Sequence, residues 1–410
     1  MHVIATLLAV SLTPRSSIRS SSFRGVRYSA AVVPAATSGL PPLVLLPPIG
    51  VGIDRTFCTR FLDAWAELSP GPALHAIDMI GMGDSAPKPI MKRRLSGGWA
   101  EPPRTPTEWA EQTLQYIKEE VGEPCVVVGQ SNLCAVALEA AAIEGSDIAG
   151  VILVGPPAVE ALSIDKPAEK IQKVWKLVGS PVGAALFRFA RRRAFLASFS
   201  KKNLFADPDQ VDDAYLDICT AGAADASSRH AVFSFVAGTW RQNYTSLLST
   251  LTKPTLILSG RDVGAGKGVG NAKTAPQEVD RTSYRGLLSW FSVWRKDGRG
   301  GRFDQVARDL GTDPAIKLRD FVSAMPAARA AGCVETALLP GWNVLVYESP
   351  DELAAVVGRF VARRFGEEGA QLWADQAIAA VEARKPAARC AVRSWYDDGV
   401  RLRPERRPVG

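Results

Sequence analysis

The sequence predicts an α/β fold: a mostly parallel, doubly wound sheet with a helical cap inserted. Three observations carry the prediction. Short apolar runs alternate with amphipathic helical patterns along most of the chain. These runs are apolar throughout rather than at every second residue, as in strands covered on both faces. Residues 163–250 break the rhythm, with helical spacing only.

The elements follow in order. "PPLVLLPPIGVG" is a buried strand ending in a Pro/Gly turn, and "ALHAIDMIGMGDSAP" a second, with Gly81 and Gly83 in its turn. "PTEWAEQTLQYIKEEVG" has helical spacing. "PCVVVGQS" is the third strand, followed by the helix "NLCAVALEAAAIEG", and "IAGVILVGPP" is the fourth. "KPTLILSGRDVG" and "GCVETALLPG" resume the strands after the cap. "SPDELAAVVGRFVARRF" is a helix with Ser349 at its cap and Glu352 three residues on. The expected domain plan is a leader over 1–35, core over 36–162, cap over 163–250 and core again over 251–366. An insertion falls at about 264–331, and a solvated basic tail covers 367–410.

Composition bounds the function. The chain has 410 residues, 47% apolar and 22% charged, enough for a sizeable core. The apolar start, Ile4 to Leu12, is too short to span a membrane. Six scattered cysteines without CxxC spacing favour buried thiols over a disulfide framework or metal site. The net charge of +7 sits at the two ends and leaves the body nearly neutral, so no nucleic-acid partner is expected. Residues 1–35 carry Arg15, Arg19, Arg24 and Arg27 without an acid and are rich in serine. That is transit-peptide composition, and the expectation is import into the chloroplast. The plainer alternative is a disordered extension.

The chemistry centres on Gly129-Gln130-Ser131, at the end of an apolar run and the start of a helix. A serine on such a strained turn stands above the sheet, with free helix N–H groups aimed at a developing oxyanion. The fifth position is Leu133, so the G-x-S-x-G pattern is incomplete. Upstream, Asp78, Gly81, Gly83 and Ser85 are spaced as D-x-x-G-x-G-x-S, and Asp262 falls just past the strand "PTLILSG".

These segments together resemble the α/β-hydrolase fold superfamily, in its cap-bearing AB hydrolase-1 branch. The sequence looks most like plastid and cyanobacterial members, over about Pro42 to Phe365 without the insertion. The resemblance implies Ser131 as nucleophile and Asp262 as the acid. It implies the backbone N–H groups of Ile49 and Asn132 as the oxyanion hole. Aligned on Glu348-Ser349-Pro350, it puts Asn343 where the family has its histidine. A carboxamide has no basicity near neutral pH and cannot take the serine proton.

The chain has three histidines. His2 lies in the leader and His75 inside a strand. His230 lies in a cap helix, where it is the candidate substitute base, although a half-buried structural residue is the commoner case. Tyr347 is near Asn343 in sequence only. "GAGKGVGNAKT" fails the phosphate-loop spacing and reads as a loop. The cap run with Arg191, Arg192, Arg193, Lys201 and Lys202 beside aromatics suits an anionic head group or peripheral membrane contact. More often such a run is a solvated helix face.

Two functions compete. One is a serine hydrolase acting on carboxylic esters or thioesters, with a small apolar or amphipathic substrate under the cap. Residual rate would come from the oxyanion hole and binding. The other is a catalytically inactive binding or scaffold protein. A lyase-type reaction in the same pocket is a weaker third. Epoxide hydrolase and haloalkane dehalogenase chemistry are disfavoured, because those relatives carry Asp at the elbow. No metal and no organic cofactor are expected.

Overall fold

The computed structural model describes residues 16–36, 39–67, 71–85, 102–262 and 314–384. Among them eight strands form one sheet. They are β1 (Ser17–Phe23), β2 (Val26–Val33), β3 (Leu43–Leu46), β4 (Leu74–Ile77), β5 (Cys125–Gln130), β6 (Ile148–Val154), β7 (Thr255–Gly260) and β8 (Val334–Leu339). Their order is β1-β2-β4-β3-β5-β6-β7-β8. β2 pairs antiparallel with both β1 and β4, and the remaining pairs are parallel.

Helices α1 (Thr59–Glu67), α2 (Pro106–Tyr116) and α3 (Cys134–Ala142) link the early strands. Between β6 and β7 come α4 (Val159–Leu162), α5 (Ala168–Val178), α6 (Pro181–Ala190), α7 (Arg193–Asn203), α8 (Asp213–Gly222), α9 (Arg229–Ala237) and α10 (Thr245–Thr250). Helices α11 (Pro314–Ala324) and α12 (Pro326–Ala330) precede β8. Helices α13 (Leu345–Glu348), α14 (Pro350–Phe365) and α15 (Glu368–Arg384) follow it.

Alternation along each strand sorts the core onto two faces. Leu43, Leu45, Val126 and Val128 face a layer that includes Phe61 of α1, Phe360 of α14 and Val381 of α15. Val44, Leu46, Cys125 and Val127 face the layer of Trp109 of α2, Leu138 of α3 and Phe321 of α11. A third cluster holds the cap, with Trp175 of α5, Phe187 of α6 and Phe233 of α9.

Three expected boundaries are corrected. The stretch 1–35 is not a detached leader, because residues 17–33 are the first two strands of the sheet. Ser17 pairs with Val32 and Phe23 with Val26, and Ala30 of β2 pairs with Ile77 of the central sheet. Arg24 and Gly25 turn the hairpin at φ 49° and 78°, as a two-residue primed turn requires. Phe23, Tyr28 and Val32 are buried. Residues 1–15 lie outside those described.

The basic tail begins later than 367. Residues 368–384 are helix α15, whose Ala374, Ala377, Ile378 and Val381 form a buried stripe at helical spacing. Residues 385–410 lie outside those described. Of the 264–331 insertion, residues 314–330 form α11 and α12. Leu318, Phe321, Met325 and Ala328 there pack into the core. The remainder lies outside the described residues.

Candidate active site

The apolar strand β5 ends at Gln130, and the chain turns through a 3-10 segment, Ser131–Leu133, into α3. Ser131 takes φ 56°. A left-handed backbone costs a non-glycine residue roughly 1–2 kcal/mol, so it persists only where the surroundings impose it. Here they do. A Cβ on Gly129 would lie 2.6 Å from the Leu133 carbonyl oxygen and 2.8 Å from Cys134 Cα. Strand and helix therefore close on each other across the glycine. The Cys134 thiol donates to the Gly129 carbonyl at 3.1 Å. Leu133 replaces the motif's second glycine without disrupting the turn, because its side chain is buried in the core.

Leu46 of β3 is in register with Gly129. Ile49 and Asn132 each lie three residues past that pair, at the same end of the sheet. Among the described residues no acceptor takes the Ile49 N–H. Asn132 is the second residue of its turn, where an N–H has no intrahelical partner. The loop bearing Ile49 is fixed from both sides. A Cβ on Gly52, at φ 74°, would fall 1.8 Å from the Cys219 carbonyl oxygen of α8.

The D-x-x-G-x-G-x-S block is a self-bonded corner supporting that loop. Asp78 is fully buried. It accepts from the Arg55 backbone N–H at 2.8 Å and forms an ion pair with the Arg55 guanidinium. Burial pushes the Asp78 carboxyl up to about 7, against the pull of Arg55. The Ser85 hydroxyl donates to Met79 O, and the Gln112 side chain bridges Asp78 O and the Ile80 N–H. Arg55 gave no sign in the sequence, since nothing in its spacing links it to Asp78.

Asp262 stands two residues past β7, and Gly341 two past β8. Gly260 and Leu339 are in register between them. The Asp262 Oδ2 accepts the Gly341 N–H at 2.8 Å, and its Oδ1 accepts from the Arg261 Nε at 3.3 Å. The Asp262 N–H in turn donates to Gly341 O at 3.0 Å. The carboxylate thus holds the β8 loop rather than an imidazole.

The same loop brings Asn343 to the elbow. The Gln130 Nε2 donates to the Asn343 carbonyl at 2.9 Å. The Asn343 Nδ2 donates to Asn203 O at 3.2 Å, and its backbone N–H to Leu204 O at 3.3 Å. Asn343 therefore joins the residue preceding Ser131 to the C-terminus of α7. Asn203 had no signal in the sequence, and Gln130 and Glu348 were given no role of their own there. Glu348 is buried and accepts backbone N–H bonds from Ala206, Trp342 and Val344 at 2.6, 2.9 and 3.3 Å. Burial raises its carboxyl despite those bonds. Its only sequence signal was its place before Ser349-Pro350.

The other candidate bases sit as follows. His230 is 1% exposed, its ring edge-on to Trp175 at 4.9 Å and under the Gly81 turn. Burial lowers it to about 3, with Arg104 adding to the effect, so its imidazole is a weak base there. His75 lies in β4, its Nδ1 2.9 Å from the Tyr116 hydroxyl. Tyr347 points to Asp212 at 3.2 Å, with the Arg60 guanidinium 3.9 Å over its ring. Among the described residues no hydrogen bond reaches the Ser131 hydroxyl, and no cluster of three or more His, Cys, Asp or Glu could hold a metal. A cavity of about 350 Å³ opens beside Asp262, lined by Asp207, Gln210, Gly341, Glu348 and Glu352. Ser131 does not line it.

The sequence matches the model of the alpha/beta hydrolase family over residues 43–356. The chain belongs to that family. No curated protein matches the sequence closely enough to count as a relative. Solved structures of similar fold include a serine hydrolase involved in carbazole degradation, at 15% identity and TM-score 0.53. That alignment covers 85% of this chain and 99% of that one. A thermophilic esterase from Thermogutta terrifontis aligns at 15% identity and TM-score 0.51, over 85% and 99% of the two chains. A probable hydrolytic enzyme from Pseudomonas aeruginosa PAO1 aligns at 15% identity and TM-score 0.55, over 84% and 93%. At these identities the likeness is one of fold. In this chain Asn343 links the residue before Ser131 to the last residue of α7.

Proposed function

We propose that this alpha/beta hydrolase is a slow serine acyl-transfer enzyme that acts on thioesters and activated esters. The observation that carries the reading is the left-handed backbone of Ser131, kept against its cost by Gly129. The Ser131 oxygen attacks the acyl carbon. The Ile49 and Asn132 N–H groups receive the developing oxyanion, and the thiolate or phenolate departs. Among the described residues no side chain is placed to take the hydroxyl proton, which passes to water, and none is placed to protonate the leaving group. That favours a group stable as an anion: a thiol near pKa 8.5 leaves without help where an alkoxide does not. Water then attacks the acyl carbon of the acyl-serine and loses a proton to solvent. Solvent returns a proton to the Ser131 oxygen as its bond to carbon breaks, and this unassisted alkoxide departure is the slow step that limits turnover. In triads that lack a member, oxyanion hole and binding still give roughly 10³–10⁴-fold over water.

One observation favours a second reading, a binding protein that keeps the fold without turnover. The Asn343 amide is engaged by Asn203 O and has no proton-accepting nitrogen. A fluorophosphonate probe separates the two. Labelling that disappears in Ser131→Ala supports the enzyme, and no labelling of the folded wild-type protein supports the binding protein.

A further inference from the structure

We infer that the outer face of α6 and α7 docks on anionic phospholipid membranes. Near-neutrality of the body is an average that conceals a polarised cap. Between Lys166 and Phe205 the chain carries ten Lys or Arg residues and one acid, Glu169. Three of the ten are engaged. Arg193 pairs with Asp213 and Asp217 at 2.6 and 2.5 Å, Arg191 donates to Ala223 O and Ala224 O, and Lys166 donates to Ala237 O. Arg188, Arg192, Lys201 and Lys202 are exposed. Among the described residues no carboxylate pairs with them.

The same face is apolar where a charged surface serving only solubility would not be. Among the described residues six large hydrophobic side chains are exposed, and Val182 and Phe189 of α6 are two of them. Val182 and Phe189 are seven residues apart on α6 and share one face. Phe189 packs on Phe195 at 5.0 Å, and Phe195 stacks on Phe199 at 5.9 Å. The Arg192 guanidinium lies 5.5 Å over the Phe189 ring. An aromatic ridge flanked by unpaired cations fits an acyl boundary beneath anionic head groups. Aliphatic Val182 adds to that insertion, whereas it has no stacking partner on a nucleic acid. α7 begins at this ridge and ends at Asn203, whose carbonyl takes the Asn343 amide. The docking face and the candidate site therefore share one helix.

The test is co-sedimentation of the full chain with two kinds of vesicle: phosphatidylcholine alone, and phosphatidylcholine with about one-third phosphatidylglycerol. Binding is expected to be at least ~10-fold tighter to the anionic vesicles and to weaken in high salt. Two variants separate the cap from the basic C-terminus: Arg188→Ser/Arg192→Ser/Lys201→Ser/Lys202→Ser, and Val182→Ser/Phe189→Ser. Each should lose roughly 10-fold in vesicle binding with an unchanged far-UV spectrum. Wild-type binding by both variants, or equal binding to the two vesicles, overturns the inference. So does competition by a single-stranded oligonucleotide that binds the cap more tightly than the vesicles do. Should a variant fail to fold, Phe189→Trp decides. A blue shift on anionic vesicles supports insertion, and an unchanged spectrum rejects it.

Discussion

The Asn343 amide donates to the backbone carbonyl of Asn203 at 3.2 Å, while the Asn343 carbonyl accepts from Gln130 at 2.9 Å. One residue thus ties the Gly129–Ser131 turn to the cap, through its side chain on one side and its backbone carbonyl on the other. A carboxamide takes up no proton near neutral pH.

Restoring the base should raise the rate. Asn343→His is expected to increase kcat for a thioester by about 10²-fold, the lower range for a positioned general base. Stopped-flow thiol release measures it. The gain should vanish in Asn343→His/Ser131→Ala, and a gain that survives there would place the activity elsewhere.

The elbow depends on a missing side chain. Gly129→Ala puts a Cβ 2.6 Å from the Leu133 carbonyl, and a loss of about 1–3 kcal/mol is expected from overpacking. Urea midpoints measure the loss, and fluorophosphonate labelling should fall with it.

Length at the N-terminus has a sharp threshold. The comparison is between the full chain and one that begins at Ala36. The shorter chain loses β1 and β2, with buried Phe23, Tyr28 and Val32, and uncovers the edge of β4. It should lose several kcal/mol, from roughly 1.5–3 kcal/mol for each large apolar side chain, or aggregate. Calorimetry and light scattering distinguish these outcomes.

Acid sensitivity should come from buried imidazoles. Burial holds His75 down to about 4 and His230 down to about 3, against roughly 6.5 in an unfolded chain. Between roughly pH 4 and 6.5 the unfolded state binds more protons. Stability is full above that window and falls as pH drops through it, by about 2 kcal/mol per histidine at pH 5. Buried Asp78, pushed up to about 7, acts in the opposite sense. The check is therefore a difference: His75→Gln should lose less stability between pH 7 and 5 than the wild type.

The readable parts of this protein were those with a strong local pattern. The apolar runs at Leu43–Leu46, Cys125–Gln130 and Thr255–Gly260 marked three strands, and the Gly129–Ser131 turn followed from them. The β1–β2 hairpin was not readable. β1 is mostly exposed serine and arginine on an edge, and its composition matched a leader. Helix α15 was missed for a different reason, since its stripe of alanines is weakly apolar beside the charged residues that follow it. The Arg55–Asp78 and Gln130–Asn343 contacts join segments 23 and 213 residues apart. Such pairs are set by strand order, which no local window contains.

The contact at Gly52 has a mechanical consequence. Its backbone meets that of Cys219 and Gly222 with no side chain between them, so this corner of the cap is closed to any larger residue. A methyl group placed here would act as a wedge, levering the loop that bears Ile49 and the α8 helix apart together.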